Sequence, residues 1–378
     1  MLPPRILIIE PKWTGHYPMF AGLVADAIQV AGGSVTLSMT RSKPSETGGL
    51  PELVETELAD RFEIRRSLGE LPGGFSPMNR VGGSREWAVV DEEIEALRPD
   101  VVLFPSADAL ACTRSTLDHA GFRMAGCLHN ARLGYGGQGP RFMLRREWMR
   151  HHLKRSQMTL GSVDPLPVEA SRSPKIHLLP HPLARREDSP SPPPSLRDID
   201  ARIGSRRMVL VIGEHSKRKA TERIVHAWPD SVHSEAVLMV AGRRVPAVNE
   251  AIKVRGKDDR ILDLDRILST AEFHALLHRA DVVTAVYPGH VGVSGVVIEA
   301  AGCDTAVLAS TEGGVGRLVT RHGLGMTVAS RNEAALAGAL ERVAVTDPPV
   351  DATRRQAFVD SCRGDGLGRR WMSFASGS

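Results

Sequence analysis

Ile6-Leu7-Ile8-Ile9 is a short, unbroken apolar run, and the thirty residues after it narrow the fold to one class. A run without alternation fits a strand buried on both faces. A turn containing Gly15 comes next, then a helical spacing of apolar residues through Phe20, Leu23, Val24, Ala27 and Ile28. Gly32-Gly33 closes that helix, and Val35-Thr36-Leu37 restarts an extended segment. Strand, helix and strand in this order make a βαβ unit, whose right-handed crossover leaves its two strands parallel.

The plan recurs. A helix ends at Leu97, and Val101 to Phe104, Met124 to Leu128 and Lys175 to Leu179 read as further strands. Between Arg41 and Gly83 the chain is rich in Gly, Pro and charge, which predicts loops. The run Ser189-Pro190-Ser191-Pro192-Pro193-Pro194 cannot hold regular hydrogen-bonded structure, so it reads as a linker. Beyond it the pattern starts again, with strands expected over 208–212, 236–241, 261–264, 282–286 and 306–309. Helices are expected from about Thr221, over 270–278, over 296–301 and near 315–320. The expected architecture is therefore α/β, with two Rossmann-like domains, at 1–185 and 196–350, joined by a linker at 186–195. A tail at 351–378, carrying Trp371, is expected to cross back to the first domain.

Composition excludes some functions. Aromatic residues make up 4% of the 378, too few for a base-stacking platform, and a formal charge of +4 is mild for this length. No nucleic acid is expected as partner. The four cysteines, Cys112, Cys127, Cys303 and Cys362, lack metal-ligand spacing and read as buried thiols of a reducing compartment. The first residues lack the charged and apolar regions of a signal peptide, and no apolar run reaches transmembrane length. Those features predict a cytoplasmic protein. The basic stretch 141–155, RFMLRREWMRHHLKR, would place Leu144, Trp148 and His151 or His152 along one helical face. It is a candidate for peripheral contact with an anionic membrane, or a solvated helix packed through that stripe.

In open parallel sheets ligands bind beyond the carboxyl ends of the strands. Two such places stand out. In YPGHVGVSGVVIEAAGCDTAVLAS, from Tyr287 to Ser310, a strand runs into a loop with Gly289, Gly292 and Gly295, then into an apolar helix carrying Glu299. Glycines admit a ligand close to the backbone, and the N–H groups around Ser294 and Gly295 at the helix start favour an anion. Packing alone would also account for those glycines. In IGEHSKRKATERIVHA, from Ile212 to Ala227, a strand ends at Gly213, and Lys217, Arg218 and Lys219 precede a helix. Three cations at a helix N-terminus can neutralise a diphosphate. A solvated basic loop is the plainer alternative. Asp263-Leu264-Asp265 and Asp198-Ile199-Asp200 imitate a metal-binding DxD and are read as chance, so no metal site is expected.

These stretches resemble the retaining GT-B glycosyltransferases, particularly family four, the group 1 glycosyl transferases. Gly292, Glu299, Ala300, Gly302, Thr305, Val307, Ala309, Ser310, Gly313 and Gly314 follow that family's signature in order. The resemblance implies two domains facing each other across a cleft, with the first binding the acceptor and the second the sugar nucleotide. It puts Glu299 on the ribose of the donor and Lys219 on its diphosphate, with Ala220 where the family has glycine. Glu214 stands at the family's arginine position, which leaves Arg218 or Lys217 to replace that arginine. The first glutamate of the family's paired glutamates falls on Val291, with His290 beside it. His129, at the end of its strand, matches a histidine beside the donor sugar, and Gly15 and His16 match a loop near phosphate and acceptor. The implied donor is a UDP- or GDP-linked sugar, with no other cofactor. The implied acceptor is a saccharide, a lipid-linked molecule or a small molecule. A UDP-sugar 2-epimerase-like enzyme and a non-catalytic nucleotide-sugar binder are the alternatives.

Overall fold

The computed structural model describes residues 4–10, 17–40, 58, 60–68, 80–108, 110–115, 117, 121–129, 140–165, 176–183, 193–216, 219–231, 235–256, 258–290 and 292–377. The chain divides into two compact units, Met1–Pro182 with Ser361–Ser378, and Leu183–Asp360. Each is built around one parallel sheet.

In the first unit the described elements are β1 (Arg5–Glu10), α1 (Tyr17–Val30), β2 (Ser34–Thr40), β3 (Ile64–Leu68), α2 (Arg80–Leu97), β4 (Val101–Phe104), β5 (Arg123–Cys127), α3 (Pro140–Leu153), β6 (Thr159–Ser162) and β7 (Ile176–Leu178). The strands lie in the order β3-β2-β1-β4-β5-β6-β7. Central β1 pairs in parallel with β2, Ile6 opposite Val35, and with β4, Ile6 opposite Val101. Its unbroken apolar run is explained by what covers each face. Ile6 and Ile8 pack with Phe20, Val24 and Ile28 of α1, while Leu7 and Ile9 pack with Trp87, Val90 and Ile94 of α2.

Three expectations need correcting. The stretch from Arg41 to Gly83, read as loops, contains β3 and the start of α2. Ile64-Arg65-Arg66-Ser67-Leu68 is an edge strand whose one neighbour is β2, a position that tolerates charged residues. The strand β6, TLGS, gives little signal in the sequence because it is short and interrupted by glycine; a Cβ at Gly161 would stand 2.5 Å from the Leu179 side chain. Helix α3 also turns another face inward. It buries Met149 and Leu153 against the sheet, with Trp148 half-buried, and leaves Leu144 exposed at 71%. The i, i+4 pair Met149 and Leu153, with Trp148 packed beside them, defines the packed stripe, and Leu144 lies outside it.

The second unit contains α4 (Arg197–Ile203), β8 (Arg207–Ile212), α5 (Thr221–Ala227), β9 (Ala236–Ala241), α6 (Pro246–Val254), β10 (Ile261–Leu264), α7 (Thr270–Arg279), β11 (Val282–Ala285), α8 (Gly295–Gly302), β12 (Ala306–Ser310), α9 (Gly313–His322), β13 (Gly325–Val328), α10 (Glu333–Val345) and α11 (Ala352–Ser361). Its strand order is β10-β9-β8-β11-β12-β13, all parallel. This unit runs from Leu183 to Asp360, and Ser361–Ser378 belong with the first unit. The last helix, α12 (Gly364–Ser376), packs on α1 in the first unit. Gly368 makes that packing possible, because a Cβ there would lie 1.9 Å from the carbonyl oxygen of Ala27. Among the described residues no helix is long and apolar enough to cross a membrane.

Candidate active site

The strand order of the second unit reverses between β8 and β11, which are hydrogen-bonded neighbours. A crevice opens beyond the strand ends at such a reversal, because the connections leave toward opposite faces of the sheet. Both candidate loops leave from these two strands.

The loop after β11 is tightly built. Tyr287-Pro288-Gly289-His290 forms a turn in which the His290 N–H donates to the Tyr287 carbonyl at 3.1 Å. Proline second and glycine third is the type II pattern, and Gly289 has the positive φ, +73°, that it requires. The Tyr287 N–H donates to Ser310 Oγ at 2.6 Å, tying the end of β11 to β12. The His290 ring lies edge-on to Tyr287, with its Nε2 3.3 Å from the Val293 carbonyl. Val291 lies outside the described residues. Ser294 is the N-cap of α8, and its side chain makes no capping hydrogen bond. A Cβ at Gly295 would meet nothing within 4 Å, so open space adjoins the helix start. Glu299, half-buried one turn further on, lies with its Oε2 3.3 Å from Nε2 of His274 on α7.

In the loop after β8, Gly213 has φ +92° and sits against Lys219. The buried Lys219 ammonium donates to the Ile212 carbonyl at 2.8 Å, and a Cβ on residue 213 would stand 3.0 Å from that nitrogen. Glycine at 213 therefore leaves room for the lysine head. Lys217 and Arg218 lie outside the described residues. Glu214, at the family's arginine position, is ion-paired with Arg243 from the loop after β9. His215 is buried, with Nδ1 2.9 Å from Thr221 Oγ1, and burial reinforced by the Lys219 charge pulls its pKa down to about 4. Its imidazole is therefore neutral at pH 7.

Ala220, where the family has glycine, adopts the left-handed conformation at φ +46°, ψ +41°. That conformation costs an L-residue about 1–2 kcal/mol and glycine nothing. Replacing Ala220 by Gly is therefore expected to stabilise the second unit by about 1 kcal/mol, read as a higher urea midpoint. An unchanged midpoint would mean that the chain relaxes the strain elsewhere.

In the first unit His129 follows β5. Its Nε2 lies 2.8 Å from the Pro105 carbonyl, and its backbone N–H donates to Asp108 at 3.3 Å. The rings of Tyr17 and Phe20 stand edge-on to it at 5.6 and 4.7 Å. Gly15 and His16 lie outside the described residues. The DxD imitation at Asp263 and Asp265 is occupied by Arg244, whose Nη1 lies 2.8 Å from Asp263 and whose Nε lies 3.3 Å from Asp265.

Residues 206–345 match the family model described as Glycosyl transferases group 1. Over 153 residues the chain is 32% identical to glycogen synthase of Mycobacterium tuberculosis; the match covers 39% of this chain and 36% of that one. The chain thus spans little more than a third of that relative's length. Two solved structures align over nearly the whole chain. HepE of Anabaena, in complex with UDP and glucose, has a TM-score of 0.62 at 13% identity, covering 99% of this chain and 97% of its own. A putative UDP-N-acetylglucosamine 2-epimerase from Listeria monocytogenes has a TM-score of 0.62 at 15% identity, covering 97% and 94%. Identities this low carry the fold alone. That fold is GT-B, with two Rossmann-like α/β units.

Proposed function

We propose that this GT-B protein, whose residues 206–345 match the group 1 glycosyltransferases, moves a sugar from a UDP- or GDP-linked donor to an acceptor hydroxyl. The observation that carries the reading is the origin of both candidate loops at β8 and β11, where the strand order reverses. In the proposed site Glu299 accepts hydrogen bonds from the ribose hydroxyls. Lys219 and the start of α8 at Ser294 and Gly295 face the diphosphate, to which the sequence also assigns Lys217 and Arg218. The bond from the anomeric carbon to the diphosphate breaks as the acceptor oxygen attacks from the same face, with retention. The departing diphosphate oxygen takes the acceptor proton. The protein's part is to hold the two substrates together and to stabilise the charge that develops on the leaving group. His290 is assigned to the donor sugar, and His129, Gly15 and His16 keep the roles the sequence resemblance gives them. No metal ion is required in this reading. Exposed Met143 and Leu144 on the basic helix α3 support a lipid-linked acceptor reached from a membrane surface.

Glu299→Ala is expected to weaken UDP or GDP binding by about 1.5–3 kcal/mol in calorimetric titration, the range for a hydrogen bond to a charged group. Unchanged affinity would overturn the donor-site assignment. A panel of UDP- and GDP-sugars, assayed for hydrolysis and for transfer to a mixed acceptor set, tests the reaction itself. Conversion of a donor to its C2 epimer would favour the epimerase-like reading, which the fold shared with the Listeria protein supports. Binding with neither transfer nor hydrolysis would favour a non-catalytic binder.

A further inference from the structure

Glu299 is not held by its own helix alone. Its Oε2 lies 3.3 Å from Nε2 of His274, on the neighbouring helix α7, and both side chains are half-buried. Helix α7 is fixed at both ends. At its start, Ser269 and Glu272 form a capping box: the Ser269 side chain accepts from the Glu272 N–H at 3.3 Å, and the Glu272 carboxylate accepts from the Ser269 N–H at 2.9 Å. The same carboxylate receives both Nη groups of Arg266, Nη1 at 2.7 Å, and the Ser195 hydroxyl. That charged and hydrogen-bonded setting, led by Arg266, holds the Glu272 carboxyl down at about 2, ionised across the working pH range. At the other end, Thr305 Oγ1, just past α8, donates to the Leu277 carbonyl of α7 at 2.7 Å. The helix bearing His274 is thereby locked to the segment just beyond the helix bearing Glu299. Between those two fixings the His274 imidazole meets the Glu299 carboxylate.

A carboxylate that accepts from a vicinal diol must keep its plane and its free lone pairs aimed at the two hydroxyls. A side chain with three rotatable bonds does so poorly unless one oxygen is pinned, and positioning by such outer contacts sharpens recognition. We infer that His274 is a positioning residue: its Nε2–H pins Oε2 of Glu299 and so sets the preference of the donor site for a ribose over a 2′-deoxyribose diphosphate. The inference rests on the reading of Glu299 as the ribose-binding residue.

The test titrates UDP, GDP and their 2′-deoxy counterparts into the full chain by calorimetry. The proteins are wild type, Glu299→Gln, His274→Leu, His274→Gln and the double variant Glu299→Gln/His274→Leu. His274→Leu is expected to cut the ribo-over-deoxy preference about three- to tenfold, the scale of one net hydrogen bond. His274→Gln, whose amide N–H can occupy the place of Nε2–H, restores most of it. Adding His274→Leu to Glu299→Gln changes nothing further, because the carboxylate it positions is gone. A purely structural histidine would lower affinity for both sugars alike and leave their ratio unmoved. If Glu299→Gln abolishes the preference while His274→Leu keeps it, the role of His274 is overturned and that of Glu299 stands. If Glu299→Gln also keeps it, or if wild type binds neither nucleotide, the donor-site reading falls and this inference with it. Should His274→Leu fail to fold, loss of the preference in His274→Gln as well would count against the inference.

Discussion

Trp371→Ala is expected to destabilise the first unit by about 3–5 kcal/mol, the usual cost of truncating a fully buried aromatic side chain to Ala. The indole is 0% exposed and sits in the core with Phe20, Phe374 and Leu179. Its ring lies edge-on to Phe20 at 6.0 Å and to Phe374 at 6.2 Å, and its Nε1–H donates to the Pro180 carbonyl at 3.1 Å. Truncation opens a cavity under β1 and α1 and leaves that carbonyl without its donor. Against a typical domain stability of about 5–15 kcal/mol, the loss is enough to release α12 from α1 at moderate temperature. Urea unfolding gives the magnitude. Hydrogen exchange gives the place, with faster exchange in β1, α1 and α12 and unchanged exchange in β8 and β9. A loss below about 1 kcal/mol would mean that α12 docks without supporting the unit's core.

Under the proposed sugar transfer, Lys219→Met is expected to lower kcat about 10²–10³-fold, the effect of removing one preorganised charge or donor from developing negative charge. Methionine keeps much of the volume and removes the cation. The lysine head is buried beneath Gly213 and donates to the Ile212 carbonyl. A catalytic and a structural role predict opposite results. A catalytic lysine loses turnover with the unfolding midpoint nearly unchanged, whereas a structural one loses stability with kcat per folded molecule intact. The second result would remove Lys219 from the site.

The class of fold was legible in the residues because parallel strands are covered on both faces. Ile6 to Ile9, Val101 to Phe104 and Met208 to Ile212 are apolar without interruption for that reason. β3 was not, since an edge strand may carry Arg65 and Arg66 and still pair, and a charged run of five residues looks like a loop. The α7 capping box, Ser269-Thr270-Ala271-Glu272, was written in the chain and could have been found from its spacing.

Local order thus decided the strands, the helices and the glycine-lined loops, because each arises from residues within a few positions of one another. The side-chain alignments needed the folded chain. His274 and Glu299 are 25 residues apart and meet because α7 and α8 flank β11. Lys219 turns back to Ile212 because residue 213 lacks a Cβ, and Trp371 meets Pro180, 191 positions away in the chain. Such contacts obey no period in the sequence, since they depend on where a parallel sheet brings distant segments and on which positions leave room for a close approach.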